Sequence, residues 1–265
     1  MIAAPDLLGA IVAATRRTVE VREAARPLRT LAQEQTRTPR GAAFEEALSK
    51  SPSAAVRVIA ECKRRSPSKG ILRSDYRPAA HARAYADAGA AAISVLTEPT
   101  FFDGSPDHLR QVRAAVVLPL LRKDFIVTEY QLIEAAVLGA DAILLIVGAL
   151  DQHGLTSLLR SAERLSLAAL VEIHDADELD RAVDAGARII GVNSRNLRTL
   201  EVDPDVFDRL AARLPRHVTA VAESGIRSRE DMTRLSARGY HAFLVGERLI
   251  TQPDPGAALN ELVGR

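Results

Sequence analysis

Apolar and polar positions follow a repeating pattern from residue 56 onward: a short apolar run, a turn, and then an amphipathic stretch. Runs such as 143-ILLIV-147 are apolar throughout, which is typical of strands in a parallel sheet that is covered on both faces. The runs predict eight strands, at residues 57–61, 92–96, 118–122, 142–147, 168–172, 188–193, 218–222 and 241–245.

The amphipathic stretches that follow these strands predict helices. They lie at residues 81–89, 105–115, 128–139, 151–165, 175–186, 204–214, 228–239 and 255–263. Several end at a glycine, the residue expected just beyond a helix C-terminus: Gly89, Gly139, Gly186 and Gly239. Ser228 and Asp231 have capping-box spacing at the start of the seventh helix, with Asp in the usual Glu/Gln place.

Eight alternations of strand and helix predict an α/β fold, a (β/α)8 TIM barrel. An open doubly wound sheet is the alternative, but the first strand lacks a Gly-rich dinucleotide turn and no second domain is evident. Residues 1–55 predict two or three helices, with a break at Pro39-Arg40-Gly41. We therefore expect residues 1–265 to form a single barrel domain with a helical N-terminal extension packed on it.

Composition narrows the class of protein. The chain has 265 residues, a hydrophobic fraction of 47% and a net charge of +1, which argues against a general nucleic-acid or membrane surface. The single cysteine, Cys62, excludes an internal disulfide framework and a Cys-based zinc site. The opening 7-LLGAIVAA-14 is short and lacks a basic segment before it, so it does not predict a signal peptide. The prediction is a cytoplasmic protein, with a monomer favoured.

Charged and aromatic residues follow the predicted strands, at the end where TIM barrels hold their active sites. They are Glu61 and Lys63 after strand 1, Phe102 after strand 2, Lys123 and Phe125 after strand 3, Glu172 after strand 5, and Asn193 and Arg195 after strand 6. Each residue alone has a structural explanation: an ion pair, a rim charge, core packing or a turn. Together they indicate a site, because barrel interiors are mostly filled by Val, Ile and Leu.

The last two strands end in glycine turns. Ser224-Gly225 and Gly246-Glu247 follow strands 7 and 8, where barrels often bind phosphate through backbone N–H groups. The sequence therefore predicts a phosphate subsite beside the charged cluster.

The chain resembles the indole-3-glycerol phosphate synthase family in segments that run from the first strand to the eighth in order. They are 58-VIAECKRRSPSKG-70, 94-SVLTEPTFFDG-104, 119-PLLRKDFIV-127, 171-VEIHD-175, 190-IGVNSRNL-197, 221-VAESGI-226 and 243-FLVGE-247. Two departures are small: Cys62 replaces an aliphatic or aromatic residue, and Arg248 follows the last turn where a small residue is common. The N-terminal 50 residues match least well.

This resemblance implies a reaction without cofactor or metal. The substrate is 1-(2-carboxyphenylamino)-1-deoxyribulose 5-phosphate, and the products are indole-3-glycerol phosphate, carbon dioxide and water. The six histidines are scattered through helices and loops, which agrees with an absent metal site. A small phosphorylated substrate is the expected partner, with no nucleic acid and no membrane.

The resemblance also implies roles for individual residues. Lys123 is the acid for ring closure, Glu172 a base or proton shuttle, and Glu61 orients the lysines. Lys63 contacts the substrate carboxylate and is a candidate acid for dehydration, an assignment that the family leaves open. Asn193 and Arg195 belong to the catalytic set and position the ribulose and the developing charges. The remaining candidates bind substrate: Ser66, Phe102, Phe125, Ser224, Gly225, Leu244, Gly246 and Glu247.

Two other functions stay open at this point. One is another phosphoribosyl-pathway barrel isomerase, which needs an acid and a base but not this Glu-x-Lys, Lys-x-Phe, Glu and Asn set. The other is a catalytically silent barrel that binds a phosphorylated ligand. A turnover assay separates the silent barrel from an enzyme.

Overall fold

The computed structural model describes residues 6–49 and 56–264. The strands are β1 Arg57–Cys62, β2 Arg65–Ser66, β3 Gly70–Ile71, β4 Ala92–Leu96, β5 Leu120–Lys123, β6 Ala142–Ile146, β7 Ala168–Ile173, β8 Ile189–Asn193, β9 Thr219–Glu223 and β10 Ala242–Val245. All but β2 and β3 form a closed parallel barrel in which β1 pairs with both β4 and β10. The predicted (β/α)8 fold is confirmed.

Within residues 6–49, three helices precede the barrel: α1 Leu7–Ala25, α2 Leu28–Gln33 and α3 Gly41–Leu48. The others are α4 Pro78–Asp87, α5 Pro99–Phe102, α6 Pro106–Ala115, α7 Glu129–Leu138, α8 Gln152–Arg164, α9 Ala176–Asp184, α10 Val206–Ala211, α11 Arg229–Ala237, α12 Glu247–Ile250 and α13 Pro255–Val263. No helix in the described part of the chain is long and apolar enough to cross a membrane.

Some boundaries differ from the predicted ones, and proline explains two of them. The third barrel strand begins at Leu120 instead of residue 118, since Pro119 has no N–H to donate to a neighbouring strand. The helix predicted at 204–214 covers only Val206–Ala211, and it is followed by Pro215, whose ring disfavours helical geometry in the residue before it. The hairpin of β2 and β3 and the short helices α5 and α12 were not predicted.

The predicted helix signals are confirmed. Gly89, Gly139, Gly186 and Gly239 have φ angles between 87° and 103°, a region that glycine enters at little cost. Ser228 and Asp231 form the reciprocal capping box at the start of α11.

Alternate residues of each strand point into the barrel, and the layers differ in chemistry. The deeper layers are apolar and include Ile59, Leu121 and Leu170, all fully buried. The layer nearest the carboxyl ends of the strands is polar, and it contains Glu61, Lys123, Glu172, Asn193 and Glu223. The strand register therefore brings the charged side chains Glu61, Lys123, Glu172 and Glu223 together at the carboxyl-end mouth of the barrel.

The N-terminal helices contact both ends of the barrel. Phe44 and Leu48 of α3 are fully buried against inward-facing strand residues such as Ile59. At the other end, Asp6 caps α1 and pairs with Arg198 in the loop after β8, with 2.5 Å between Oδ2 and Nη1. Residues 1–5 and 50–55 of the predicted extension lie outside the described residues.

Asp141, at the start of β6, connects the segment between α2 and α3 to the barrel. Its side chain is fully buried and accepts hydrogen bonds from the backbone N–H of Arg40 at 2.9 Å and from Arg113 Nη1 at 3.0 Å. Arg37 also pairs with it, and Leu120 donates its backbone N–H. One buried carboxylate thus joins the extension, α6 and β5.

Candidate active site

A cavity of about 550 Å³ opens at the carboxyl ends of the barrel strands. All fourteen residues predicted from the sequence to form a site line this cavity. The structure therefore brings the candidates together, and their individual roles are considered below as proposals.

Lys123 lies at the centre of the polar layer, between two carboxylates. Its Nζ donates to Glu172 Oε2 at 2.8 Å and to Glu223 Oε2 at 2.7 Å. The Lys123 side chain is 13% exposed, whereas those of Glu172 and Glu223 are 2% and 1% exposed. One ammonium group thus neutralises part of the charge of two nearly buried carboxylates.

The two carboxyl groups have opposite pKa shifts. Burial alone would raise the pKa of Glu172, but the charges of Lys123 and His174 outweigh it and lower the pKa to about 2. Burial raises the pKa of Glu223, Lys123 opposes the rise, and Glu172 adds to it, which leaves a pKa of about 7. Two groups of the same type are therefore separated into an ionised base and a carboxyl that titrates near neutrality.

Lys123 stays protonated in this setting. Burial alone lowers its pKa, but the charges of Glu172, Glu223 and Glu61 more than compensate and raise the pKa above the ordinary lysine value. The ammonium can therefore stabilise an oxygen that becomes strongly basic, such as an alkoxide, and then protonate it.

Glu61 and Lys63 form an ion pair at the end of β1, with 2.6 Å between Oε1 and Nζ. The expectation that Glu61 orients the lysines fits Lys63 directly, while Lys123 donates its hydrogen bonds to Glu172 and Glu223. Gly246 leaves space for this pair, because a Cβ at that position would overlap Glu61 Oε1.

The basic loop after β1 lies along the rim of the cavity. Lys69 pairs with Glu247 at 2.5 Å, and Arg64 pairs with Asp103. Ser66, at 7% exposure, lines the cavity with its Oγ free of any hydrogen-bond partner among the described residues. The loop therefore places a buried hydroxyl group without a hydrogen-bond partner among the described residues at the wall of the cavity.

Asn193 both shapes the backbone and faces the cavity. Its Oδ1 accepts the backbone N–H of Arg195 at 2.9 Å, so it holds a turn, and its side chain also hydrogen-bonds to Glu172. The guanidinium of Arg195 donates to the Leu200 carbonyl at 3.1 Å and to Ser68 Oγ at 3.4 Å. Arg195 thereby connects the loop after β8 with the loop after β1.

Two aromatic rings form one wall of the cavity. The ring centroids of Phe102 and Phe125 lie 6.1 Å apart, with an angle of 38° between the ring planes. Glu98 caps the short helix α5 by accepting N–H groups from Thr100, Phe101 and Phe102, which fixes the position of Phe102. Leu244, in β10, adds a buried apolar contact to the same cavity.

The turns after β9 and β10 form the opposite end of the cavity. Ser224 and Gly225 both have positive φ angles, 64° and 70°, so the backbone is in the left-handed region at two consecutive residues. Gly246 precedes α12, and Glu247 is its first residue. Cys62 has no part in the site, because it points out of the barrel, is fully buried, and has its pKa raised by burial.

Behind Lys123, a buried arginine stabilises the end of β5. Arg122 is fully buried and donates to Thr97 Oγ1 at 3.0 Å and to Asp124 Oδ2 at 2.9 Å. It also pairs with Glu134 of α7 at 2.7 Å. These contacts fix the backbone from which Lys123 projects into the cavity.

The histidines and carboxylates do not form an evident metal site. Within residues 6–49 and 56–264, no group of three or more His, Cys, Asp or Glu side chains is arranged to hold a metal ion. The carboxylates of the cavity are instead paired with lysines.

Comparison with known proteins identifies the family. The family model described as indole-3-glycerol phosphate synthase matches residues 8–262. The chain belongs to the indole-3-glycerol phosphate synthase family. Its activity is accordingly that of a carboxy-lyase of tryptophan biosynthesis.

Relatives that carry this family name match over most of their length. An indole-3-glycerol phosphate synthase of Mycolicibacterium vanbaalenii is 50% identical over 257 residues, which is 97% of this chain and 93% of the relative. Indole-3-glycerol phosphate synthase 1 of Streptomyces coelicolor is 55% identical over 208 residues, 78% of this chain and 77% of the relative.

Solved structures at low sequence identity support the barrel fold alone. KGPDC from Streptococcus mutans matches with a TM-score of 0.61 at 12% identity, over 78% of this chain and 95% of that one. Thiamine phosphate pyrophosphorylase from Pyrococcus furiosus matches with a TM-score of 0.60 at 16% identity, over 78% and 93%.

Sequence reasoning missed one residue of the synthase site. Glu223 lies within the segment 221-VAESGI-226 but was not among the predicted site residues, yet it shares Lys123 with Glu172. Its position was a usable signal, since it is two residues after the inward-facing Val221. Gly191 of the adjacent strand β8 leaves room for the Glu223 carboxylate, because a Cβ at Gly191 would overlap Glu223 Oε1.

Proposed function

We propose that the cavity carries out the cofactor-free synthesis of indole-3-glycerol phosphate, with Lys123 as the acid of ring closure. The observation that supports this role most strongly is the ammonium group of Lys123 between Glu172 and Glu223 at the barrel mouth. In the first step the ring carbon that bears the carboxylate attacks the ketone carbon of the sugar. The ketone oxygen takes up the negative charge and then a proton from Lys123.

Decarboxylation follows without a further catalyst. The bond between the ring carbon and the carboxylate breaks, carbon dioxide leaves, and the electron pair restores the aromatic ring. The anilino nitrogen of the substrate supplies the electrons for the initial attack, so the protein needs no electron-accepting cofactor at this stage.

Dehydration requires both an acid and a base. Lys63, paired with Glu61, protonates the hydroxyl group, which leaves as water. Glu172 removes the proton from the neighbouring carbon and so completes the pyrrole ring. Because Glu172 lies 2.8 Å from Lys123, this proton can return to Lys123, while Lys63 regains from solvent the proton that it gave to the leaving water.

Substrate binding uses the two ends of the cavity. The Phe102 and Phe125 rings pack against the carboxyphenyl ring, with Leu244 beneath it, while Ser66 and Lys63 hold its carboxylate. Asn193 and Arg195 position the ribulose chain. The phosphate binds at the backbone N–H groups of the turns after β9 and β10, formed by Ser224, Gly225, Gly246 and Glu247.

A direct assay tests this proposal. Purified protein mixed with 1-(2-carboxyphenylamino)-1-deoxyribulose 5-phosphate should produce indole fluorescence and release carbon dioxide in equal amounts. Binding of the substrate without either product would instead favour a silent phosphate-binding barrel. The cytoplasmic location and the monomeric state remain proposals, and the latter is measured by light scattering of the purified chain.

A further inference from the structure

His174 lies directly behind the proposed base. It follows β7, and its Nε2 lies 3.6 Å from Glu172 Oε1 while its Nδ1 lies 3.1 Å from Glu178 Oε2. Glu178, in the first turn of α9, also accepts the backbone N–H of His174 at 2.8 Å. The imidazole is therefore held by Glu178 with its other nitrogen directed at Glu172.

The oxygen of Glu172 and the nitrogen of His174 that face each other make no hydrogen bond in the described part of the chain. Glu172 Oε1 and His174 Nε2 are both buried and both lack a hydrogen-bond partner there. Because burial of unpaired polar atoms is costly, their mutual orientation points to an interaction between them. A small movement would turn the 3.6 Å separation into a charged hydrogen bond.

The surroundings keep this arrangement in place. Gly148 leaves room for Glu178, because a Cβ at Gly148 would lie 2.7 Å from Glu178 Oε1. The same Cβ would lie 3.3 Å from Leu8 Cδ2, so α1 covers this region with an apolar side chain. The charges that act on His174 are the carboxylates of Glu172, Glu178 and Glu223, with the ammonium of Lys123 beyond Glu172.

These charges favour the imidazolium form. Burial alone lowers the pKa of His174, but the hydrogen bond to Glu178 and the charges of Glu172 and Glu178 outweigh it and raise the pKa. Glu172 consequently has two positive neighbours, Lys123 and His174, whereas Glu223 has an ion pair with Lys123 alone among the described residues.

We propose that His174, held by Glu178, is a positioning residue that fixes the carboxylate of Glu172 and keeps the exchangeable proton of the carboxylate pair on Glu223. The proposal rests on the catalytic role assigned above to Glu172. His174 does not line the cavity, so it acts through Glu172 and does not contact substrate. Because His174 positions it, Glu172 is ionised and correctly oriented when it must accept the proton of the final step.

The location of the proton is measurable in the free enzyme. Glutamate labelled with ¹³C at the side-chain carboxyl gives one signal per residue, and Glu172→Gln and Glu223→Gln assign the two signals. Titration of the parent enzyme should shift mainly the Glu223 signal near pH 7. In His174→Asn, the higher of the two titration midpoints of the Glu172–Glu223 pair should rise by roughly one pH unit. The change in chemical shift at this midpoint should then be divided between the signals of both carboxyls.

Kinetics supply a second readout. At pH 6, where the pair holds one proton, His174→Asn should lower kcat roughly twofold, because a proton divided between the two carboxyls leaves Glu172 ionised in only about half of the molecules, with KM close to that of the parent. The loss should diminish at pH 8.5, where both carboxylates are ionised. Glu178→Gln should give the same change in smaller measure, since it weakens the hold on His174. His153→Asn, on the exposed surface of α8, is the matched control.

Either of two outcomes overturns the proposal. One is a carboxyl titration in His174→Asn and Glu178→Gln that is identical to the parent. The other is a pH-independent loss of kcat together with reduced thermal stability, which would indicate a structural role only. The titration needs no substrate, so it decides the role of His174 separately from the proposed reaction, which fails only if the parent enzyme shows no turnover.

Discussion

Glu223 Oε2 lies 2.7 Å from Lys123 Nζ, the same ammonium group that donates to the proposed base, Glu172. Glu223 is fully enclosed, and burial is the main reason that its pKa is raised to about 7. An acidic side chain that titrates at this pH makes both stability and activity depend on pH near neutrality.

Replacing this carboxyl with an amide should stabilise the protein at alkaline pH. A carboxyl whose pKa is raised in the folded state binds its proton more tightly there than in the unfolded chain. The parent therefore loses stability as pH rises from the unfolded pKa of 4.5 through the folded value of about 7. Glu223→Gln removes this loss, which is at most about 3 kcal/mol.

Urea unfolding at several pH values measures this effect. Glu223→Gln should exceed the parent in stability at pH 8, and its advantage should decline towards pH 5. An advantage that is the same at pH 5 and pH 8 would mean that Glu223 does not titrate as described.

The example of Glu223 shows where sequence reasoning reached its limit. The barrel, its polar mouth and the residues Glu61, Lys123 and Glu172 follow from strand periodicity and the family resemblance. The pairing of Lys123 with Glu223 depends on the tilt of strands around the barrel, which brings together residues 100 positions apart. Local sequence patterns do not show that two residues so far apart in the chain are neighbours in space.

Loop contacts were beyond prediction for a similar reason. The ion pair of Lys69 with Glu247 joins loops separated by 178 positions, and no periodic pattern connects them. His174 was counted only among the six histidines scattered through helices and loops. Its link to Glu172 depends on Glu178, which was part of an ordinary helix pattern.

Asp141 should be important for the attachment of the N-terminal helices. Asp141→Asn leaves Arg37 and Arg113 without their buried partner, so the free energy of unfolding should fall by about 3 kcal/mol. Asp208→Asn is the matched control, since Asp208 pairs with Arg234 and Arg238 at the surface and should contribute less than about 1 kcal/mol.

The pH dependence of the same variant has a definite sign. Burial alone raises the pKa of Asp141, but the hydrogen bond from Arg37 and the two backbone N–H groups lower it overall. Its stabilisation is thus present above the unfolded pKa of 3.8 and is lost as pH falls further. The difference in the free energy of unfolding between parent and Asp141→Asn should shrink below that pH.

We also propose that the extension and barrel are one domain, which requires a single unfolding transition.

Gly246→Ala should affect catalysis as well as binding. A methyl group at this position would displace Glu61 and so disturb its pair with Lys63, lowering kcat by roughly 10-fold or more. Gly225→Ala, in the other turn, should raise KM and leave kcat near the parental value, because its methyl group would lie nearest to Ser194. Steady-state kinetics separate the two, and an unchanged kcat in Gly246→Ala would contradict the role of Glu61.

Metal removal should have no effect. The proposed steps use lysine and carboxylate side chains only, so prolonged treatment with EDTA followed by gel filtration should leave kcat and KM unchanged. Activity that is lost in EDTA and returns with Mg²⁺ or Zn²⁺ would show that the reaction requires a metal ion and would contradict the proposed mechanism.

The role of Lys123 is the central claim, and its replacement by alanine tests it most directly. Its ammonium is proposed to act on an oxygen that becomes anionic only as the ring closes, so its loss should affect the transition state more than the bound substrate. Glu172 and Glu223 would also lose their shared cation, which makes the substitution more severe than a simple truncation.

Single-turnover kinetics of Lys123→Ala, with substrate binding measured on the same preparation, give the decisive comparison. The rate of ring closure should fall by roughly 10²- to 10⁴-fold, with substrate affinity close to that of the parent. Lys63→Ala should instead weaken binding as well, through its lost contact with the substrate carboxylate. A near-parental rate in Lys123→Ala, or a defect confined to binding, would contradict the account and assign the acid of ring closure to Lys63.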